Sequence, residues 1–141
     1  MSLQPYLFFT DTAREAMTRY QEIFGGKLDI LGLDSVPAED REQMPFEAPE
    51  GYVMHAALVL PDGEVLLASD DPTGDGKGVT GISINITTTD ADDARRMFDA
   101  LADGGEIGMP LDTSFWSPLF GTCRDRFGVN WMINVEAEEN A

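Results

Sequence analysis

Few side chains in this sequence have the chemistry to act on another molecule. His55, in the stretch "MHAAL", is the only histidine. Imidazole is the natural general acid or base near neutral pH. The alternative is a histidine packed and hydrogen-bonded within the fold. The register of its strand decides between them, because a slip of one residue turns every side chain to the other face. Cys123 is the only cysteine, and Arg124 and Arg126 stand close to it. No base partner is in view, so a reactive thiol is not expected. Phe115, Trp116 and Phe120 gather around Pro118. Such rings stack on a flat ligand at the mouth of a cleft, or seal a core or a dimer interface.

Missing motifs narrow the field. There is no G-x-x-x-x-G-K phosphate loop; "PTGDGKGV" has glycines at the wrong spacing and sits in a linker. No G-x-G-x-x-G follows a strand, so an ordinary dinucleotide-binding or methyl-donor fold is not supported.

The elements that must position these residues repeat. "TDTAREAMTRYQEIFGG" carries Ala13, Ala16, Met17, Tyr20, Ile23 and Phe24 at helical spacing. Asp11 or Thr12 can cap its start, and Gly25-Gly26 stops it. "TTDADDARRMFDALADGG" places Ala91, Ala94, Met97, Phe98 and Leu101 on one face, with Asp90 suited to the cap and Gly104-Gly105 at the end. Laying Ala16 on Ala94 and Tyr20 on Phe98 brings the glycine pairs together after a single insertion. An internal duplication follows. "PYLFF" and "GISINIT" precede the helices. "KLDILGL", "YVMHAALVL" and "EVLLAS" follow the first; "EIGMPLD", a short piece at "GTCRD", and "VNWMINV" follow the second. Each half reads β-α-β-β-β. The last strand alternates: Val129, Trp131, Ile133 and Val135 share one face, and Asn130, Met132 and Asn134 the other. "PDGE" and "DRFG" read as matching hairpin turns. "SDDPTGDGKG", Ser69 to Gly78, is a polar linker. "DSVPAEDREQMPFEAPEG", Asp34 to Gly51, is a long acidic loop that either closes as a lid through Met44 and Phe46 or is disordered.

The chain, at 141 residues, fits a single domain of residues 1–141 with a first module of about 1–70, a linker of about 70–78, a second module of about 79–136 and an acidic tail at 137–141. Nine Lys and Arg stand against 26 Asp and Glu, for a formal charge of −17. Such a surface repels nucleic acid and anionic membranes and keeps a protein soluble. No apolar run reaches the ~18 residues of a membrane span. The start "MSLQPYLFF" lacks a basic leader, and one cysteine makes no internal disulfide. A cytoplasmic protein is expected.

Paired βαβββ modules of this length resemble the vicinal oxygen chelate superfamily, the glyoxalase and bleomycin-resistance fold, and in detail its PhnB-like branch. The residues that carry the resemblance are "PYLFF", "YQEIFGG", "MHAAL", "FWSPLFG" and above all "DRFGVNWMIN". The resemblance covers essentially the whole chain. It implies an α+β fold in which each module forms a curved mixed sheet with its helix on the outer face. It also implies a cleft built from the inner faces, and a homodimer.

Enzymes of this superfamily usually hold a divalent metal on the inner sheet face through His, Glu or sometimes Gln. That metal binds vicinal oxygens and stabilises an enolate, or activates dioxygen. Matching the pattern to this chain gives Pro5, Leu67, Ser83 and Met132. None is a usual ligand for such a metal. A slip of one residue offers Gln4 or Tyr6, Leu66 or Ala68, Ile82 or Ile84, and Trp131 or Ile133, which is no better. No metal site and no cofactor are expected. A cleft of Leu7, Phe9, Leu67, Ser69, Ser83, Asn85, Trp116, Met132 and Asn134 has apolar walls with a few amides and hydroxyls, which suits a small organic ligand. The favoured reading is a metal-free small-molecule-binding protein, ligand unknown. One alternative is a lyase, isomerase or dioxygenase with an atypical site around His55 and loop acids such as Glu47 or Glu50. The other is a non-catalytic structural dimer. Nothing in the residues supports methyl transfer.

Overall fold

The computed structural model describes residues 1–44, 48–114 and 116–137. Phe46, Glu47, Phe115 and the tail residues 138–141 lie outside them. The chain divides into two compact units, Met1–Lys77 and Gly78–Ala141. Each holds one four-stranded mixed sheet, so the α+β architecture of two βαβββ modules stands.

In the first unit the elements run β1 (Tyr6–Phe9), α1 (Ala13–Phe24), β2 (Lys27–Gly32), a 3-10 turn (Leu33–Ser35), α2 (Ala38–Glu42), β3 (Val53–Val59) and β4 (Val65–Asp70). The sheet order is β1-β4-β3-β2, with β1 parallel to β4 and the remaining pairs antiparallel. Helix α1 buries the apolar stripe read from the sequence: Ala13, Ala16, Met17, Tyr20 and Ile23. It packs on β2, β3 and β4, where Val53, Ala56, Leu58, Leu66 and Ala68 form the other half of the core. The acidic loop carries α2, whose residues are all unburied, so residues 38–42 have helical structure of their own. The single turn starts from Pro37, which pre-sets the backbone ahead of it.

The second unit repeats the plan with β5 (Ile84–Thr88), α3 (Ala91–Ala102), β6 (Glu106–Asp112), β7 (Leu119–Arg124) and β8 (Asn130–Val135). Its order is β5-β8-β7-β6, with β5 parallel to β8. Helix α3 buries Ala94, Met97, Phe98 and Leu101 beside Leu119, Cys123, Trp131, Ile133 and Val135. The duplication reaches the backbone. A Cβ on Gly26 would sit 2.1 Å from the Val59 carbonyl oxygen, and one on Gly105 would sit 2.0 Å from that of Arg124. In each unit the second glycine after the helix passes against the strand that follows β2 or β6, where no side chain fits.

One helix start is held as expected and the other is not. Asp90 caps α3 by accepting the Asp93 N–H at 3.1 Å. Thr12 stands at the cap of α1 but its side chain makes no capping bond. The donor finds its acceptor across the fold: buried Asp70, at the end of β4, accepts the N–H of Ala13 through Oδ1 and that of Val53 through Oδ2, both at 2.9 Å. In the second unit, buried Asp125 accepts the N–H of Phe127 at 2.9 Å, the N–H of Val129 at 3.1 Å and the indole N–H of Trp131 at 2.8 Å. The "DRFGVNW" stretch is thus a turn wired to its own carboxylate. A carboxamide there keeps one acceptor and turns an N–H against a donor. Asp70→Asn and Asp125→Asn should therefore each lower unfolding free energy by about 2 kcal/mol or more, read from urea denaturation. A loss below about 0.5 kcal/mol would show that the carboxylates hold nothing in place.

Candidate functional site

Paired residues on neighbouring strands share a face, so the strand registers sort each sheet into two sides. In the first sheet, Leu7 pairs with Ala68 and Phe9 with Asp70. Both are core residues, 6% and 5% exposed. The cleft reading of Leu7 and Phe9 is therefore corrected: they belong to the helix side, and Tyr6 and Phe8 take the open side. The sequence "YLFF" is apolar at every position, so alternation gave no sign of which pair faces the helix. Tyr6 pairs with Leu67 and Phe8 with Ser69, which puts Leu67 and Ser69 on the open side; Ser69 is buried there. Ala57 pairs with Leu67 and Leu31 with His55. His55 therefore belongs to the open side as well.

His55 has a partner that sequence reasoning missed. The Tyr6 hydroxyl lies 3.1 Å from His55 Nδ1. Strand β4 stands between β1 and β3, so this bond reaches across it. The rings of Tyr6 and His55 are 5.7 Å apart and those of Tyr6 and Phe8 5.0 Å. The signal is present in "PYLFF", where Tyr6 carries the one polar ring.

In the second sheet, Asn85 pairs with Met132 and Thr87 with Asn134. Met132 pairs in turn with Thr122, and Asn134 with Phe120. These six share the open side, opposite Trp131, Ile133 and Val135. The Asn85 amide donates to Thr87 Oγ1 at 3.0 Å. Asn134 Oδ1 is buried with no hydrogen-bond partner, one of two such side-chain atoms among the described residues, the other being Arg19 Nε. Ser83 lies before β5 and is exposed. Trp116 is half exposed and meets Phe120 edge-on at 5.3 Å, so it does not seal a core.

The registers also shift one metal position. Tyr6 beside Leu67 matches Asn85 beside Met132, so Gln4, rather than Pro5, corresponds to Ser83. The first unit then offers a carboxamide and a leucine at these positions, and the second a hydroxyl and a methionine. Neither pair fits a divalent oxygen- or nitrogen-loving metal. Among the described residues no group of three His, Cys, Asp or Glu is placed to hold one. Glu50 is exposed.

Residues 1–134 match the model of the family described as 3-demethylubiquinone-9 3-methyltransferase. The chain belongs to this family. Protein PA1353 from Pseudomonas aeruginosa is 38% identical, with 98% of this chain and 99% of that one covered and a TM-score of 0.81. A PhnB protein from Bacillus cereus is 27% identical over 96% of this chain and 99% of that one, at a TM-score of 0.77. A glyoxylase/bleomycin resistance protein/dioxygenase domain from Frankia shares the fold, at 14% identity, 95% and 94% coverage and a TM-score of 0.62. The chain thus has the glyoxalase/bleomycin-resistance fold and a PhnB relative, in line with the resemblance that its motifs carry. No helix among the described residues is long and apolar enough to cross a membrane.

Two consequences are measurable. Burial, with a smaller push from Asp125, raises the Cys123 thiol to about 11. The native thiol should therefore react with Ellman's reagent far more slowly than the urea-unfolded chain. The raised group favours the protonated folded state, so its contribution is intact below pH 9 and is lost between about 9 and 11. Tyr52, raised by burial and then by Asp70, Asp71 and Tyr6, acts in the same direction above pH 10. Cys123→Ala should flatten the fall in stability across pH 9 to 11; an unchanged slope would remove the thiol from it. Separately, Asn134→Leu removes an orphaned acceptor and should raise stability by about 1 kcal/mol, seen as a Tm higher by about 3 °C. A lower Tm would mean the amide is satisfied in solution.

Proposed function

We propose that this protein binds a small organic molecule and does so without the metal that its superfamily's enzymes usually employ. The observation that carries the reading is the donor set at the inner-face positions, where Leu67 and Met132 replace any ligating side chain. The open side of each sheet instead offers aromatic and aliphatic surface with a few hydrogen-bonding groups: Tyr6 and His55 in the first, Asn85, Thr87 and Asn134 in the second. Sequestration needs complementary walls and no catalytic acid. The family is described by a methyl transfer, and these residues supply no glycine-rich methyl-donor site. A homodimer, common for this fold, belongs to the same proposal.

The test is the metal content of the purified protein by elemental analysis. Thermal shifts with Ni, Zn, Mn, Co and Fe after chelation would follow, with Ca and Mg as controls for loose binding to the acidic surface. The expected result is no stoichiometric metal and no selective shift. One tightly held equivalent, with a stability gain at micromolar metal that His55→Ala abolishes, would replace this reading with metal-dependent chemistry around His55.

A further inference from the structure

The open side of the first sheet combines three properties. It is aromatic: Tyr6 and Phe8 are 38% and 62% exposed, and the Tyr6 ring lies 5.0 Å from that of Phe8 and 5.7 Å from that of His55. It is apolar at its edges, where Leu31 and Val59 are also exposed. It holds one hydrogen-bonded polar pair, the Tyr6 hydroxyl and His55 Nδ1. Exposed rings clustered on one face are costly in water and mark a surface built to be covered. The charged side chains on this face, Lys27 and Asp29, lie on the edge strand β2 and face each other at 4.0 Å.

We infer that this face is a binding site for a planar, uncharged aromatic molecule carrying a hydroxyl or carbonyl group. Its ring lies against Phe8 and Tyr6, and its oxygen bonds to the Tyr6–His55 pair. The pairing leaves polar capacity for such a group. A hydroxyl and an imidazole together hold two donors and three acceptors when neutral, and their mutual bond uses one of each. Tyr6 is fixed across the strand by that bond, so the anchor is set before the ligand arrives. A neutral ligand matches a face whose ring cluster carries no carboxylate, and a chain of charge −17 repels an anion. The inference rests on the small-molecule reading above, and names the ligand's chemistry and the residues that meet it.

The test uses 2-naphthol and naphthalene as probes, one ring system with and without the hydroxyl. His55 is the only histidine, so its imidazole gives a single set of NMR signals. The wild-type chain should bind 2-naphthol about tenfold more tightly than naphthalene, with the His55 ring signals moving on titration. Tyr6→Phe and His55→Ala should erase the difference while naphthalene still binds. Phe8→Ala should weaken both probes alike. All three side chains are at least partly exposed, and circular dichroism would establish that each variant folds. Equal binding of the two probes by the wild-type chain, or His55 signals that do not move, would overturn the site. So would sedimentation showing a dimer that Phe8→Asp splits and that 2-naphthol leaves intact, since a second copy would then cover this face. A stoichiometric metal would overturn the metal-free reading without touching the comparison of the two probes, so the two failures are distinguishable.

Discussion

Two buried carboxylates organise this molecule. Asp70 and Asp125 each accept backbone N–H groups that no strand or helix ladder satisfies. A buried charge is tolerable only when its oxygens are fully hydrogen-bonded. Each carboxylate therefore fixes whatever donates to it. Asp70 ties the start of α1 and the start of β3 to the end of β4, so helix and sheet are set by one side chain. Asp125 closes the "DRFG" turn and pins the indole of Trp131 into the core, which sets the register of β8. Once β4 and β8 are placed, alternation decides everything on their open sides: Leu67 and Ser69 in one unit, Met132 and Asn134 in the other.

The scaffold was legible because it rests on local signals. The helical stripes of α1 and α3, the glycine pairs after them and the hairpin turns are spaced by geometry that neighbouring residues impose. The repetition of the plan then doubled the evidence for each element. The site was less legible where the sequence is uniform. In "YLFF" no polar residue breaks the alternation, so the face of Leu7 and Phe9 could be learned only from their partners on β4. The same slip assigned Pro5 to a position that belongs with Gln4. The Tyr6–His55 pair joins residues 49 apart across an intervening strand, and no spacing rule reaches that far. Thr12 has the right type for a cap, yet the work falls to Asp70, far along the chain. The helical turn in the acidic loop was hidden because charged residues give no periodicity to read.

The duplication shows in the β-α-β-β-β frame and not on the open faces. Both units thread a side-chain-free glycine past a carbonyl, and both pair a first strand in parallel with a last one. Yet one open side is aromatic around a histidine and the other is amide and hydroxyl around a methionine. Substitution on the open faces leaves the core packing untouched, so they can diverge on an unchanged frame.

The same division leaves an optical signature. All three tyrosines, Tyr6, Tyr20 and Tyr52, lie in the first unit, and both tryptophans, Trp116 and Trp131, lie in the second. Excitation near the red edge of protein absorbance reports only the unit that holds Asp125, whereas tyrosine emission originates wholly in the unit that holds Asp70. The two halves of the duplication can thus be watched separately in a single unlabelled sample as the chain unfolds.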